Sequence, residues 1–552
     1  MRLSMTPAIL ACQDHPGARP RRSPHRRAAT LILAWLTIGC SPAPSPAPVE
    51  SLEAGWARLR YWDDQARLVA SLGRDSTPTG LSRAVVVESL TAARTQTGRL
   101  LAAAGTQERD DQAALAVMRR DWPALSGGSD SAPGPAGPLE RLTDSIYQAY
   151  TEAASTIVVD GDTLNRLAVL GLLSRTPDAA RRQRLFLALA PVWRSINGDN
   201  EPVSPYRRLL TLRHNAWQAG SPIDATGPAL GLTAAELENW LVEALTRWRA
   251  SMPLEPLEPW DWYFDTGAAG RRLSPRVPQV TDLLRVTQAA FADWGASPAA
   301  LNIHFDLAPR VGKDPVSFTD FGTRPVRRNG SWTPGEPWIF TSYLGGGFDN
   351  LVELLHETGH GVHLAAIHVR PAFLDWPDND TYTETLADLP AMEAYEPAWQ
   401  QRFLGDSVPR AMALRAKYAG IVIDMAWALF EIRIHRDPAQ DPNRLWAELT
   451  ETFLAIRPHP EWSWWAMRGQ LVDSPGYLLN YAVGAFLVAD LRARIVERRG
   501  PNPWHDEDLY AWLSATLYHD GLAVPSPRVL EGFLGHRPRP DPLLTELGRM
   551  IP

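Results

Sequence analysis

The chain has 552 residues, of which 45% are apolar and 21% are charged, and its formal net charge is −7 at pH 7. These proportions are those of a globular protein, so they exclude a disordered, collagenous or polytopic membrane protein. The length allows one large two-lobed chain as well as three or four small domains.

The charge is unevenly distributed. Residues 1–39 contain six arginines and one aspartate, and without them 49 basic residues stand against 61 acidic ones, a net charge of −12. Because an acidic surface repels the phosphate backbone, this balance argues against nucleic acid as a partner.

The first 39 residues have the pattern of an export signal. A basic stretch that includes Arg26 and Arg27 precedes an apolar run of 11 residues, Ala28–Ile38, which is too short to span a bilayer. Gly39 and Cys40 follow, and then the Pro-rich segment Ser41–Pro48. We therefore predict a signal peptide over 1–39, a tether over 40–50 and one large domain over 51–552.

The end of the apolar run resembles the lipobox of bacterial lipoproteins, which implies that Cys40 is lipidated and that the protein is anchored in the cell envelope. Ser41 after the cysteine implies, by the same resemblance, sorting to the outer membrane. The alternative is a plain secretory signal. The only other cysteine, Cys12, lies in the segment predicted to be removed, so we expect no disulfide in the mature chain.

From Ser51 onward, apolar residues recur at spacings of three and four, which predicts a mainly α-helical protein. Two mid-chain stretches differ. Residues 301–307 alternate in polarity, and 337–344 form a short β-branched and aromatic run between Pro and Gly. A small mid-chain sheet is therefore expected, followed by a Gly-rich turn over 345–347 and a helix.

That helix carries His356, Glu357 and His360 in an HExxH pattern. Two histidines four residues apart project from one face of a helix and can bind one zinc ion, while the glutamate can take a proton from the attacking water. The alternative is a pair of structural histidines that hydrogen-bond carbonyls or fill a polar cleft.

Catalytic zinc takes three protein ligands and keeps one position open. No histidine follows at the metzincin spacing, so we predict an acidic third ligand, Glu384, which lies 28 residues after His356. Asp388 is one helical turn further and would accept the free ring N–H of His356.

Alternatives remain for this third position. Thr381 and Glu384 also match a capping box at a helix start. Glu353 and Glu393 are the rival acids, although Glu353 lies on the histidine helix and can hardly reach the open side of the metal.

The chain resembles the gluzincin peptidases, which include thimet oligopeptidase, neurolysin and angiotensin-converting enzyme. HETGHGVH at His356–His363 resembles the oligopeptidase HEFGHALH, and ETLAD at Glu384–Asp388 is similar to the converting-enzyme EAIGD. Asp306–Lys313 and Glu258–Tyr263 resemble the oligopeptidase stretches DLYPREGK and PWDW, and Tyr206–Asn215 resembles a converting-enzyme helix. The resemblance spans about 200–490 and is strongest over 300–390.

This resemblance implies a two-lobed helical shell around a deep channel, with the small sheet beside the HExxH helix and zinc on the channel floor. It also implies that Pro337–Tyr343 is an edge strand that pairs with a peptide. Lys313 is expected to be structural, joined to an acid within its own motif.

Ser474–Tyr481 resembles the family segment that stabilises the oxyanion, which implies a hydrogen-bond donor at Tyr481, with Tyr477 second. The alternative is that both tyrosines are packing residues. Where the family has a histidine, Gln470 or Leu471 stands. The converting-enzyme lysine that holds the substrate's terminal carboxylate has no counterpart here. The candidate substrate-binding residues are His363, Gln470 and Arg468.

The sequence therefore predicts a metallopeptidase with one zinc ion per chain that hydrolyses short unfolded peptides, as an oligopeptidase or as a peptidyl-dipeptidase. Membrane contact is expected only through the lipid at Cys40. The alternative is a catalytically weak peptide-binding envelope lipoprotein that keeps the same fold.

Overall fold

The computed structural model describes residues 49–550 apart from 107, 128–136, 218–220, 222, 225–226, 228–229, 311, 314–316 and 329. The predicted signal peptide and Cys40 lie outside the described residues. The first helix begins at Val49, so it includes the last two residues of the predicted tether.

Most of the described chain is α-helical, as the apolar spacing predicts. The helices are α1 Val49–Ser71, α2 Arg83–Ala103, α3 Arg109–Leu125, α4 Pro138–Ser155, α5 Arg166–Arg175, α6 Ala179–Leu187, α7 Ala190–Asn197, α8 Pro205–Ala216, α9 Ala234–Ala250, α10 Pro259–Thr266, α11 Ala268–Leu273, α12 Val280–Ala292, α13 Phe348–Ala366, α14 Asp380–Ala391, α15 Pro397–Leu404, α16 Arg410–Arg436, α17 Pro442–Leu454, α18 Gln470–Asp473, α19 Tyr477–Arg499, α20 Leu509–Leu513, α21 Ser526–Leu534 and α22 Asp541–Gly548.

The strands are short. They are β1 Ile157–Val159, β2 Asp162–Leu164, β3 His304–Asp306, β4 Phe318–Thr323, β5 Val326–Arg328, β6 Ser331–Thr333 and β7 Glu336–Phe340. Strands β1 and β2 pair as one hairpin, and β5 and β6 as another. Strands β3, β7 and β4 form the mid-chain sheet, in which β7 is parallel to β3 and antiparallel to β4. The expectation of a mainly helical fold with a small sheet beside the HExxH helix is confirmed.

The expected edge strand is wrong in position. The segment Pro337–Tyr343 contains most of β7, and β7 is the central strand, with neighbours on both sides. The composition of 337–344 indicated a strand correctly, but strand order depends on which other segments pair with it. Strand β4, which no pattern in the sequence analysis indicates, lies at one edge of this sheet.

The sheet lies between α1 and α13. Successive side chains of a strand point to opposite faces. On β4, Phe318 packs against the cluster that contains Leu68 of α1, whereas Phe321 packs against Leu364 of α13. The HExxH helix therefore covers one face of the sheet and the first helix covers the other.

Buried polar contacts join α1 to strand β4 and to Arg324, which follows it. Arg324 Nε lies 2.8 Å from Asp64 Oδ2, and these two side chains are 7% and 0% exposed. The amide of Gln65 donates to the carbonyl of Gly322 at 2.5 Å. Separating the partners of a buried ion pair leaves an uncompensated charge and is strongly destabilising. This contact therefore holds α1 to the sheet.

The two largest apolar cores of the described chain draw on different sets of helices. One gathers side chains from α4 to α10, α16 to α18 and α22, and the other gathers side chains from α11 to α15, α20 and α21. Helix α19 contributes to both, with Leu478 and Leu479 in the first core and Val483 and Leu487 in the second.

Lys313 is structural, as expected. Its ammonium donates to the carbonyl of Asp306 at 2.7 Å, to the carbonyl of Ala308 at 2.9 Å and to the carbonyl of Thr341, and it lies 3.1 Å from the Asp306 carboxylate. These bonds tie the chain after β3 to the end of β7.

The start of helix α19 is held by a buried acid on α16. Gly476 precedes α19 with φ of 87°, a conformation that favours glycine, and its N–H donates to Glu431 Oε1 at 2.9 Å. The other oxygen, Oε2, has no hydrogen-bond partner among the described residues. Nearby, Arg213 donates to the carbonyls of Leu471 and Val472, so the segment before α19 is fixed from two sides.

None of the described helices is long and apolar enough to cross a membrane.

We predict that Glu431 makes stability pH-dependent. Burial raises the pKa of its carboxyl from 4.5 to about 7. The folded chain therefore keeps this proton where the unfolded chain releases it, and stability falls as the pH rises from about 4.5 to about 7, by about 3 kcal/mol. Glu431→Gln should reduce this decline in the free energy of unfolding, measured by urea denaturation at about pH 4.5 and about pH 7. The exposed Glu448→Gln should retain the wild-type slope, and an unchanged slope in Glu431→Gln would contradict the assignment.

Candidate metal centre and active site

Helix α13 places the two histidines of the HExxH pattern on one face. Their ring centroids are 4.7 Å apart and nearly perpendicular. The His356 side chain is 21% exposed and the His360 side chain is 8% exposed. Both are therefore held by surrounding structure and keep limited access to solvent.

Helix α14 brings the predicted third ligand to these rings. Glu384 Oε2 lies 3.2 Å from Nε2 of His356 and 3.7 Å from Nε2 of His360. Ligand atoms of these three residues all lie within 4.8 Å of one another, and within the described chain no other group of three potential metal ligands meets.

The alternatives for the third position are not supported by this geometry. Helix α14 begins at Asp380 and is capped by Asn379, so Thr381 and Glu384 do not form the capping box. Glu393 pairs with Arg492 at 2.5 Å. Neither Glu353 nor Glu393 belongs to the ligand group.

Asp388 lies where its spacing in the sequence predicts. Its Oδ1 is 2.7 Å from Nδ1 of His356. This contact fixes the tautomer that leaves Nε2 free for a metal, and it raises the basicity of the ring. His360 Nδ1 has no hydrogen-bond partner among the described residues.

The electrostatics of the group favour a cation. Burial lowers the pKa of His356, but the charges of Asp388 and Glu384 outweigh burial and raise that pKa well above its ordinary value. Burial raises the pKa of Glu384, but hydrogen bonds and charge from the two histidines outweigh burial and lower that pKa well below its ordinary value. The two carboxylates thus stabilise positive charge at the point where the ligand atoms meet.

The donor set fits zinc. Two imidazoles and one carboxylate are the ligands of a catalytic zinc site that leaves the fourth position to water or substrate. The carboxylate behind His356 completes the arrangement that such sites use to orient an imidazole.

The close contact of α13 and α14 depends on a glycine. A Cβ atom at Gly359 would lie 2.4 Å from the carbonyl oxygen of Ala387 and 2.8 Å from its Cα. Only glycine allows the backbones to approach this closely. This approach places Glu384 beside His360, which follows Gly359 directly, and beside His356, which lies three residues before it.

Glu357 lies on the neighbouring face of α13, toward the sheet. It is 7% exposed. The Thr319 hydroxyl of strand β4 lies 2.7 Å from Glu357 Oε2 and 2.8 Å from the Glu357 carbonyl oxygen. The general-base candidate is therefore held by the edge strand.

The two tyrosine candidates share one face of α19. Their hydroxyl oxygens are 3.5 Å apart and their rings meet edge to face. Burial raises the pKa of both phenols, and the charge of Glu384 raises it further, so both remain neutral donors at pH 7.

The candidate substrate-binding residues differ in their surroundings. Arg468 pairs with Asp424 and lies over the ring of Trp427 at 4.7 Å, and its charge also acts on Tyr481. Gln470 is half-buried at the start of α18. His363 is 1% exposed, and burial lowers its pKa to about 3, so it stays neutral.

Two neighbours of the site were not identified from the sequence. Thr319 lies on a strand that was not recognised. Trp376 follows α13 in a loop, and its ring meets those of His360 and His363 at 5.4 and 6.0 Å. Neither position follows a pattern in the sequence, because both contacts depend on tertiary packing.

Comparisons with known proteins support the fold. An oligoendopeptidase F structure aligns over 91% of this chain and 96% of its own, with 15% identity and a TM-score of 0.54. PZ peptidase A aligns over 92% and 97%, with 13% identity and a TM-score of 0.53. An M32 carboxypeptidase from Deinococcus radiodurans aligns over 91% and 99%, with 15% identity and a TM-score of 0.53. No protein-family model and no curated protein sequence matches the chain.

At these identities the comparisons establish that the chain shares the helical fold of these proteins over nearly its whole described length. Membership of the thimet oligopeptidase or converting-enzyme family stays a prediction from the motifs.

We predict that Glu384→Ala loses zinc, because two imidazoles alone hold the ion weakly. Zinc per chain, measured by atomic absorption after dialysis, should fall from about one to near zero. Glu353→Ala, an acid on the histidine helix outside the ligand group, should keep a full complement. Full zinc in Glu384→Ala would move the third ligand elsewhere.

A second prediction concerns the helix contact. Gly359→Ala should cost about 1–3 kcal/mol of stability, because its Cβ overlaps the α14 backbone. It should also weaken zinc binding in a chelator competition, because α14 must move away. Gly420→Ala is the matched control, since a Cβ there meets nothing within 4 Å. That variant should be neutral or more stable by up to about 1 kcal/mol, with unchanged zinc affinity. Equal zinc affinity in both variants would contradict the proposed constraint.

Proposed function

We propose that this protein is a zinc metallopeptidase that hydrolyses peptide bonds in oligopeptides. The observation that carries the proposal is the meeting of His356, His360 and Glu384 beside a buried glutamate, Glu357. The likeness in fold to proteins named as an oligoendopeptidase, a peptidase and a carboxypeptidase supports the same reaction class.

His356, His360 and Glu384 would hold the metal, and Asp388 would keep His356 in the tautomer that binds through Nε2. A zinc ion held there supplies a Lewis acid that polarises the scissile carbonyl and makes water more acidic. Glu357 accepts a proton from the attacking water and passes it to the nitrogen of the leaving amine. Its Oε2 is oriented by Thr319, which leaves the second carboxylate oxygen for this transfer.

The tyrosines would act on the carbonyl oxygen. As water attacks, this oxygen becomes negative, and a neutral phenol can donate a hydrogen bond to it. We assign this role to Tyr481, with Tyr477 as the second candidate. Tyr477 lies close enough to orient the Tyr481 hydroxyl.

Two cleavage rules are compatible with this site. An oligopeptidase cuts within a short peptide, whereas a peptidyl-dipeptidase needs a cation for the free terminal carboxylate. Arg468 is the candidate cation, but Asp424 already pairs with it. Because this pairing offsets its charge, we favour the oligopeptidase rule. Gln470, which is half-buried, remains a candidate for contact with the peptide. His363 is 1% exposed, so it could touch a peptide only if the neighbouring side chains moved.

The alternative is a peptide-binding lipoprotein without efficient turnover. A binding protein has no need of a general base, yet Glu357 is buried with its carboxylate 2.7 Å from the hydroxyl of Thr319. This favours the enzyme. We also propose, from the sequence alone, that the protein is exported and anchored through a lipid on Cys40.

We predict that Glu357→Gln abolishes hydrolysis while zinc content and unfolding temperature stay at wild-type values. Loss of the proton acceptor should lower kcat by about 100- to 10,000-fold. The measurement is mass spectrometry of the products formed from a decapeptide by zinc-loaded residues 41–552.

The same decapeptide should be supplied with a free and with an amidated C-terminus. Internal cleavage of both forms is the expected result for an oligopeptidase, and release of dipeptides from the free form alone would indicate a peptidyl-dipeptidase. Undiminished cleavage by Glu357→Gln would overturn the mechanism. Wild-type protein that binds the peptides without cutting either would favour the binding protein.

A further inference from the structure

Among the described contacts, the Thr319 hydroxyl is the only group of strand β4 that forms a hydrogen bond with Glu357, the candidate general base. It contacts Glu357 twice, at the carboxylate oxygen Oε2 and at the backbone carbonyl, at 2.7 and 2.8 Å. Thr319 is 9% exposed and Glu357 is 7% exposed. Water therefore competes poorly for either partner, and the contact is worth more than it would be at the surface.

The register of the sheet explains why this residue points at the helix. Phe318 faces α1, so the period of two turns Thr319 toward α13. Thr319 pairs with Ile339 on the central strand, and Ile339 is fully buried. A Cβ at Gly361 would come within 3.3 Å of Ile303 and 3.6 Å of Ile339, so α13 also packs closely on the sheet at this point.

We infer that Thr319 is a positioning residue for peptide hydrolysis, holding the Glu357 carboxylate in the orientation that accepts the water proton. This inference rests on the proposed function. A glutamate side chain has three rotatable bonds, and misplacing a catalytic group by about 1 Å can cost 100-fold in rate. The hydroxyl proton can be given to Oε2 or to the carbonyl, and a carboxylate is the stronger acceptor.

The alternative is that the threonine is merely a well-packed strand residue or a contact for the substrate. In that case only the volume of the Thr319 side chain, packed against Glu357 and Ile339, would affect the protein. Valine has nearly the shape of threonine without the hydroxyl, whereas serine keeps the hydroxyl and loses the methyl group. The pair of substitutions therefore separates packing from hydrogen bonding.

The test is steady-state kinetics of zinc-loaded residues 41–552 with an internally quenched oligopeptide. Thr319→Val should lower kcat by about 10- to 100-fold with KM within about twofold of wild type. Thr319→Ser should restore most of kcat. Thr323→Val is the matched control, because it makes the same change at the end of the same strand, and it should leave kcat unchanged.

Substrate binding separates positioning from direct contact. Peptide affinity should be equal in Glu357→Gln and in Glu357→Gln combined with Thr319→Val, because Thr319 acts through the glutamate and not on the peptide. Weaker binding in the double variant would overturn the inference in favour of a substrate contact.

Zinc content and unfolding temperature are measured for each variant. Wild-type kcat in a folded, zinc-loaded Thr319→Val would overturn the inference while leaving the proposed function intact, since the wild type and Glu357→Gln would still differ. If Thr319→Val loses its fold, Thr319→Ala and Thr319→Ser are compared, and equal kcat in these two overturns the inference. A wild-type chain that cuts no peptide would overturn both proposals.

Discussion

The site depends on the close approach of two helices at Gly359. A metal centre of two histidines needs a third ligand at a fixed distance, and that ligand comes from α14. The backbone of Ala387 leaves no room for a Cβ on α13 at this point. Because the contact is made between backbones, it fixes the separation of the helices more firmly than flexible side chains could. Glu384 and Asp388, one turn apart on α14, then reach His356 from two sides.

The opposite side of the same helix is equally constrained. Residues four apart share a helix face. His356 and His360 face α14, while Glu357 and Gly361 face the sheet, where Gly361 lies against Ile303 and Ile339. One helix therefore separates the two proposed tasks of the site, since the candidate ligands contact α14 and the candidate base contacts β4. Either contact can be altered while the other remains, which is why the roles can be tested separately.

Much of this site could be predicted because its signals are local. The two histidines can be recognised because their spacing matches one turn of a helix. Glu384 and Asp388 can be predicted because zinc needs a third ligand and because they lie one helical turn apart. The sheet order could not be obtained this way. Residues 337–344 have a strand composition, but whether β7 is central or at an edge depends on β3 and β4, which are distant in sequence. The role of Thr319 cannot be predicted for the same reason, since its contact Glu357 is 38 residues away in the sequence.

A local conflict between residue type and burial also marks the site. A helix buried against a sheet and another helix should present apolar residues on both faces. Helix α13 instead buries Glu357, His360 and His363, each less than 10% exposed. Burying ionisable groups costs stability unless charges and hydrogen bonds compensate. The compensation here is specific, because Glu384 contacts His360 and Thr319 contacts Glu357. This arrangement of partners is what a functional site requires and a poorly patterned core would lack.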